Sequence, residues 1–341
     1  MKNPESSLKA EISQLCSTLG EDSLLVQAAG GNVSWKQDDK TLWIKASGTR
    51  LAEANIKDIF IPVDLTHTLD HIHNNEFNFT PRVLNDSQLR PSIETLLHAL
   101  MPQRIVVHIH AVEILAYLVR SDCDILLKKI LGEKFEWVTV NYFKPGAELA
   151  SAAWDAIQNN SKCNIVLMKN HGVVFAAEST EEVLDLIEKV IRCFKEYAPP
   201  TAAVSNFPEN EVQKKLGMYN LVEDKNINLL ATSPKYFNRL NSHWSLYPDH
   251  VVFLGNKANI FASWDEFSNV INAEQPELIF ILSKGVYALD SFNQAKKEQL
   301  LCYFNVISRI PDDSELRILS NNEIAALLNW DAEQYRKNIA S

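Results

Sequence analysis

The sequence has few cysteines and no Cys-x-x-Cys pair. Its five cysteines, an odd number, are spread widely over 341 residues. This pattern excludes a disulfide framework and a thiolate zinc site, and it is typical of thiols that are buried in a core.

Positive charge is also scarce. The chain has 33 Lys and Arg against 43 Asp and Glu, which gives a net charge of −10. Because such a balance repels a polyphosphate backbone, we expect no nucleic-acid partner. The glycine segments match neither Gly-x-Gly-x-x-Gly nor the Walker pattern, so nucleotide binding is not predicted either.

Long apolar runs are missing. The first seven residues are mostly polar or charged, where a signal peptide would need an apolar stretch. The most apolar segment, residues 105–119, is interrupted by His108, His110 and Glu113, and so falls short of the ~18 uninterrupted apolar residues of a membrane helix. We therefore expect a cytoplasmic protein without a membrane partner.

Three histidines form the most informative pattern that is present. His108 and His110 close a β-branched segment, and side chains two apart in a strand point to the same face. A third histidine, His171, lies in an Asn-His-Gly sequence at the end of another apolar segment, where Gly172 permits a close backbone approach. Three imidazoles in this pattern predict a catalytic metal site with room for water or substrate.

A carboxylate, Glu94, belongs to the same hypothesis. It follows Pro91 at the start of a predicted helix, where an acid suits the positive helix end. Beside a metal it can act as a ligand and then as a base. His98, four residues further along that helix, is assigned a hydrogen-bonding or core role. A second His-x-His, His71-Ile72-His73, lies in an aperiodic segment that predicts a solvated loop.

Two short segments of small residues predict an oxyanion-binding surface. One runs from Ala29 to Ser34 and the other from Lys45 to Thr49. Backbone amides at such strand-loop junctions form nests for phosphate oxygens, and Asn and Ser side chains add donors. On its own, either segment would indicate only a turn.

The expected organisation is one larger domain followed by a smaller one. Hydrophobic residues make up 46% and charged residues 22%, which is ordinary for a globular protein. An amphipathic helix predicted over residues 180–197 is followed by a Pro-rich stretch, where we place the boundary. The predicted units are a metal-binding catalytic domain (1–198), a linker (199–210) and a small C-terminal α/β unit (211–341). Within that unit, Val251 to Leu254 is interpreted as a β segment.

Taken in order, five segments resemble the motif series of the class II aldolase/adducin family. They are Gly31-Asn-Val-Ser34, Ala46-Ser-Gly-Thr49, Pro91-Ser-Ile-Glu94, His108-Ile-His110 and Asn170-His-Gly172. The resemblance covers about residues 5–197. Within the family, the chain is most similar to the aldolase half of bifunctional rhamnulose-1-phosphate aldolase/lactaldehyde dehydrogenase proteins.

The resemblance implies a fold and a set of site residues. The fold is a three-layer α/β/α domain with a largely antiparallel central sheet. His108, His110 and His171 would bind Zn²⁺ or another divalent transition metal, and Glu94 would be the catalytic acid/base. The substrate-binding residues, which would hold the phosphate of a ketose 1-phosphate, would be Gly31, Asn32, Ser47, Gly48 and Ser92. Ile93 stands where fuculose-phosphate-type aldolases carry a second serine, so the need for phosphate stays open.

The implied activity is that of a class II, metal-dependent aldehyde-lyase. It would cleave a ketose by a retro-aldol reaction through a metal-stabilised enediolate, as part of carbohydrate metabolism. Relatives that epimerise, dehydrate or decarboxylate sugar phosphates use the same metal site and remain an alternative. A non-catalytic module resembling the adducin head is a second alternative. The family also implies a homo-oligomer, a tetramer whose sites lie between subunits.

Overall fold

The computed structural model describes residues 4–198, 215–270 and 275–340, so the predicted linker 199–210 lies outside the described residues. The strands are β1 (Asn32–Lys36), β2 (Thr41–Lys45), β3 (Phe60–Asp64), β4 (Ile105–Ile109), β5 (Trp137–Val140), β6 (Ile165–Met168), β7 (Gly172–Ala177), β8 (Lys215–Leu216), β9 (Tyr219–Leu221), β10 (Ile260–Phe261), β11 (Leu278–Ile281) and β12 (Gly285–Ala288). The helices are α1 (Pro4–Glu21), α2 (Leu65–His73), α3 (Thr95–Leu100), α4 (Val112–Leu118), α5 (Cys123–Ile130), α6 (Ala147–Asn159), α7 (Thr180–Tyr197), α8 (Lys225–Thr232), α9 (Pro234–Ser242), α10 (Pro248–Leu254), α11 (Trp264–Val270), α12 (Gln294–Ser308), α13 (Asn321–Leu328) and α14 (Asp331–Ala340).

A seven-stranded sheet organises the first part of the chain. Its strand order is β3-β2-β1-β4-β7-β6-β5, and every neighbouring pair is antiparallel except β5 with β6. Helices α1, α4, α5 and α7 contribute to a core on one face, whereas α2, α3 and α6 contribute to a core on the other. The predicted α/β/α domain with a largely antiparallel sheet is confirmed.

The central strand β4 has no exposed face. Ile105 and Val107 belong to one core and Val106 belongs to the other, as the period-two alternation of a strand requires. The sequence of a strand that is covered on both faces is a continuous apolar run instead of an apolar-polar alternation, as residues 105–107 show.

The C-terminal part forms a five-stranded sheet of order β10-β11-β12-β9-β8. The two parts share one hydrophobic core, which contains Leu115 and Phe175 from the first part together with Leu300 and Phe304 from α12. The predicted smaller α/β unit is confirmed, and it packs directly on the first part.

The β segment predicted at Val251 to Leu254 is wrong, because these residues lie in helix α10. Pro248 occupies the first turn of the helix, where its fixed φ is favourable. Gly255, with a φ of 85°, ends the helix. Four apolar residues fit a buried strand and a buried helix equally well, so only the flanking Pro and Gly carried the correct signal.

The loop predicted around His71 and His73 is also wrong, because both residues lie in the last turn of α2. Asp64 begins this helix by accepting a hydrogen bond from the His67 backbone N–H. His71 Nδ1 is 2.6 Å from Glu76 Oε2. Neither His71 nor His73 joins a potential metal cluster among the residues that the structure describes.

None of the described helices is both long enough and apolar enough to span a bilayer.

Candidate metal centre

Two neighbouring strands bring the three predicted histidines together. His108 is opposite Val174 in the antiparallel pairing of β4 with β7, and His110 follows the end of β4. His171 lies in the tight turn between β6 and β7. One ring nitrogen of each histidine lies within 4.8 Å of the others, and all three side chains are buried.

Gly172 makes this arrangement sterically feasible. A Cβ atom at this position would lie 2.7 Å from the Ile109 carbonyl oxygen, 2.8 Å from His110 Cδ2 and 3.0 Å from His108 Cε1. Any side chain at Gly172 would therefore displace the histidines or the strand that carries them. Asn170, just before the third histidine, has a φ of 54°, a conformation that Asn tolerates better than most residues.

The polar partners of His108 and His110 indicate which nitrogen of each ring carries the proton. His108 Nδ1 lies 3.0 Å from the Val173 carbonyl oxygen, to which it can only donate. His110 Nδ1 faces a carboxylate oxygen of Asp249 at 3.4 Å. In the neutral rings both protons are then on Nδ1, so both Nε2 atoms carry lone pairs.

These two Nε2 atoms lie 3.1 Å apart. Two lone pairs at this distance repel each other unless a cation lies between them. Nitrogens bound at about 2.0–2.1 Å to one tetrahedral ion are about 3.3 Å apart, close to the observed separation. The histidine geometry therefore fits a divalent metal.

Burial keeps the imidazoles in the form that a metal needs. It lowers the pKa of His171 to about 3, and it also lowers the pKa of His108. Near neutral pH both rings are uncharged, so a lone pair is available for coordination. His98, by contrast, is turned toward β1, with its Nδ1 2.8 Å from Ser34 Oγ.

Glu94 lies between the histidines. Its Oε1 is 3.2 Å from His171 Nε2 and its Oε2 is 3.5 Å from His108 Nε2. Asn32 Nδ2 donates a hydrogen bond of 2.6 Å to Oε2 and fixes the carboxylate. Among the described residues, the buried Oε1 has no hydrogen-bond partner, which leaves it free for a metal or a substrate proton.

Glu94 is ionised over the whole physiological range. Burial on its own raises the pKa of this carboxyl group, but in acid the surrounding imidazoles, His108 foremost, become cationic, outweigh burial and hold the pKa at about 2. The centre therefore presents three nitrogen donors and one carboxylate, a donor set that suits Zn²⁺ and similar divalent ions.

One pocket contains all the residues that were predicted to bind substrate. Gly31 and Asn32 enter it from the start of β1, Ser47 and Gly48 from the loop after β2, and Ser92 from the segment before α3. Glu94, His110 and His171 line the same pocket, and so does Ile93. The structure thus brings together every predicted substrate-binding residue and the predicted metal centre.

The sequence interpretation assigned no individual role to four charged residues of this pocket. Asp249 comes from α10, and Glu333 and Arg336 come from α14, so the C-terminal unit forms part of the wall. The fourth is Lys45, at the end of β2. The spacing of Glu333 and Arg336 places them on one helix face, but such a pair is ordinarily a solvated surface pair, so the sequence signal was weak.

Lys45 is an almost fully buried cation, with 1% of its surface exposed. Its Nζ donates hydrogen bonds to the carbonyl oxygens of Ala29 at 3.1 Å and Thr49 at 2.6 Å. Burial, together with the nearby charge of Arg336, lowers the pKa of Lys45 to about 7. Since an unfolded chain gives lysine its ordinary pKa of 10.5, the unfolded state binds more protons between pH 7 and about 10.

A substitution at Lys45 should therefore change how stability depends on pH. Relative to Lys45→Met, the wild type should gain unfolding free energy as pH rises from 7 to 9, by up to about 1.4 kcal/mol per pH unit. Chemical denaturation of both proteins at several pH values measures this difference, in which the titration of all other groups cancels. A difference that stays constant with pH would show that the buried lysine remains protonated.

Comparison with known proteins gives matches to part of the chain. An uncharacterized oxidoreductase, YuxG, of Bacillus subtilis (strain 168) is 29% identical over 193 residues, which are 52% of this chain and 28% of that protein. The chain thus spans less than a third of the length of this curated relative.

Two solved structures each match more than half of the chain. The N-terminal class II aldolase domain of a conserved protein from Thermoplasma acidophilum is 23% identical, covers 55% of this chain and 92% of that chain, and has a TM-score of 0.47. A sugar-phosphate aldolase from Thermotoga maritima is 18% identical, covers 57% of this chain and 94% of that chain, and has a TM-score of 0.46.

The family itself is identified by a sequence match that includes the three histidines and Glu94. The sequence model described as Class II Aldolase and Adducin N-terminal domain matches residues 10–198, more than half of the chain. The family that the five motifs predicted is confirmed: this chain belongs to the class II aldolase and adducin family.

Proposed function

We propose that this protein is a class II, metal-dependent aldehyde-lyase that cleaves a ketose, with a ketose 1-phosphate as the first candidate substrate. The observation that carries the proposal is the buried cluster of His108, His110 and His171, with Glu94 between two of its rings. Membership of the class II aldolase and adducin family supports the same reaction class.

Each residue of the centre has a task in this proposal. The three histidines would hold the metal, and Zn²⁺ is the ion we propose. Bound there, the metal would act as a Lewis acid that stabilises negative charge on substrate oxygens. Glu94 would move the proton at its free Oε1, while the hydrogen bond from Asn32 to Oε2 keeps the carboxylate oriented.

The pocket wall suggests where the rest of the substrate binds. Ser47, Gly48 and Ser92 are the proposed contacts of a phosphate group, because they line the pocket beside the metal centre. Ile93 adds no donor there, and Glu333 adds a carboxylate to the same wall. An unphosphorylated ketose, which needs no donor at Ile93, is therefore a second candidate, whereas Arg336, paired with Glu333 at 3.4 Å, and Lys45 supply positive charge that suits a phosphate.

Product analysis tests the proposed reaction. The metal-loaded protein, incubated with a panel of ketoses and their 1-phosphates, should release a three-carbon fragment and an aldehyde. A chelator should stop this release, and added Zn²⁺ should restore it.

Other products would point to the alternatives. An isomeric sugar with an intact carbon skeleton would indicate an epimerase, and loss of water or carbon dioxide would indicate a dehydratase or a decarboxylase. A protein that binds metal but converts neither a ketose nor a ketose 1-phosphate would oppose the lyase assignment. The presence of all three histidines and of Glu94 favours a catalyst over a non-catalytic interaction module.

A further inference from the structure

The C-terminal unit reaches the metal centre through one buried carboxylate. Asp249 on α10 is 3% exposed, and its Oδ2 lies 3.4 Å from Nδ1 of His110. This is the ring nitrogen that faces away from the other histidines. A carboxylate at this position favours the proton on Nδ1 and leaves Nε2 free for a metal.

Asp249 is itself held in a fixed orientation. Arg336 on α14 donates from Nη1 to Oδ1 at 2.6 Å and from Nη2 to Oδ2 at 2.7 Å, which is a bidentate salt bridge. Gln299 on α12 donates to Oδ2 at 3.2 Å. Three helices of the C-terminal unit thus fix one carboxylate against one histidine.

The first part of the chain leaves room for this contact at Gly30. A Cβ atom at Gly30 would lie 3.1 Å from Asp249 Oδ2 and 3.2 Å from His110 Nδ1. Asp249 Oδ2 and His110 Nδ1 both lie close to the Cα of Gly30. Because Gly30 has no side chain, it leaves room for their contact. An ion pair that only joined α10 to α14 would not need this approach to His110.

The same unit also holds the turn that carries the third histidine. Asn170 Nδ2 donates to the carbonyl oxygens of Leu246 at 2.8 Å and Arg317 at 2.7 Å. Both acceptors belong to the C-terminal unit. Two of the three histidines are therefore positioned by residues beyond the family-matched region 10–198.

We propose that Asp249, clamped by Arg336, is a positioning residue that orients His110 for metal binding, so that the C-terminal unit is an integral part of the metal centre. This inference rests on the metal site of the proposed function but not on the proposed reaction. It assigns to α10, α12 and α14 a role in metal affinity that is separate from their packing.

Metal affinity of the full chain tests this proposal. Apo-protein would be titrated with Zn²⁺ against a chromophoric chelator, and the Co²⁺-loaded protein would be examined by visible absorption. Asp249→Asn should bind Zn²⁺ about 10- to 100-fold more weakly than the wild type, as expected for the loss of an outer partner of a metal ligand. Its Co²⁺ spectrum should change, because the His110 ring is no longer fixed.

Glu113→Gln is the matched control. Glu113 on α4 forms an ion pair with Arg309 at 3.0 Å, so it also joins the first part of the chain to the C-terminal unit through a partly buried contact. This variant should bind Zn²⁺ like the wild type. Equal weakening in both variants would mean that general packing, and not Asp249, sets the affinity, and would overturn the proposal.

A second variant covers the case in which Asp249→Asn does not fold. Arg336→Lys keeps the positive charge but cannot form the bidentate salt bridge with Asp249. It should therefore weaken Zn²⁺ binding less than Asp249→Asn does. Wild-type affinity in a folded Asp249→Asn protein, or in Arg336→Lys where Asp249→Asn is unfolded, would overturn the proposal. A wild type that binds no metal would instead refute the proposed function itself.

Discussion

Replacement of His108 by alanine should abolish high-affinity metal binding. His108 Nε2 is the atom that lies close to both His110 Nε2 and Glu94, so its removal takes away the central nitrogen donor. The loss of Zn²⁺ affinity should exceed the about 100-fold upper limit that outer partners of a metal ligand cause. Competition of the apo-protein with a chelator measures it directly.

Thermal unfolding gives a second readout of the same variant. A ligand that binds only the folded state stabilises it, by about 4.1 kcal/mol at a thousand times its Kd. Added Zn²⁺ should therefore raise the Tm of the wild type but not that of His108→Ala.

His98→Ala is the control, because His98 is also buried but is hydrogen-bonded to Ser34. It should retain the affinity and the Tm increase. Wild-type affinity in His108→Ala would contradict the assigned ligand set.

Replacement of Glu94 by glutamine should separate catalysis from metal binding. The amide has nearly the same shape but cannot accept and return a proton, so kcat should fall by about 10²- to 10⁴-fold. Zn²⁺ binding should persist, because the three nitrogen donors remain. Steady-state kinetics and metal titration of the same preparation give both quantities.

Two outcomes would contradict this role of Glu94. Full turnover in Glu94→Gln would show that another group transfers the proton. Loss of metal to the extent seen in His108→Ala would show that Glu94 is mainly a ligand. Glu113→Gln, which removes a carboxylate that does not line the pocket, should leave both kcat and metal affinity unchanged.

The family resemblance predicted the fold of the first part, and local patterns in the sequence predicted the grouping of its histidines. The two-residue spacing of His108 and His110 on a buried strand fixed their common face, and Gly172 indicated the close approach that the structure shows. These features depend on strand geometry, which a short stretch of sequence specifies.

The contribution of the C-terminal unit could not be predicted in the same way. Asp249 precedes an apolar run that fits a strand as well as a helix. In the sequence, Arg336 resembles an ordinary solvent-exposed residue on the surface of a helix. Their role depends on the approach of Asp249 to His110 and Gly30, and on the contact of Arg336 with Asp249. Such long-range contacts leave no periodic signal in the sequence.

The most direct test of the metal centre is a crystal structure of the Zn²⁺-loaded full chain, with anomalous diffraction data collected at the zinc absorption edge. One anomalous peak per chain, within bonding distance of a ring nitrogen of His108, His110 and His171, is the predicted result. A peak elsewhere, or no peak at these three histidines, would contradict the central claim.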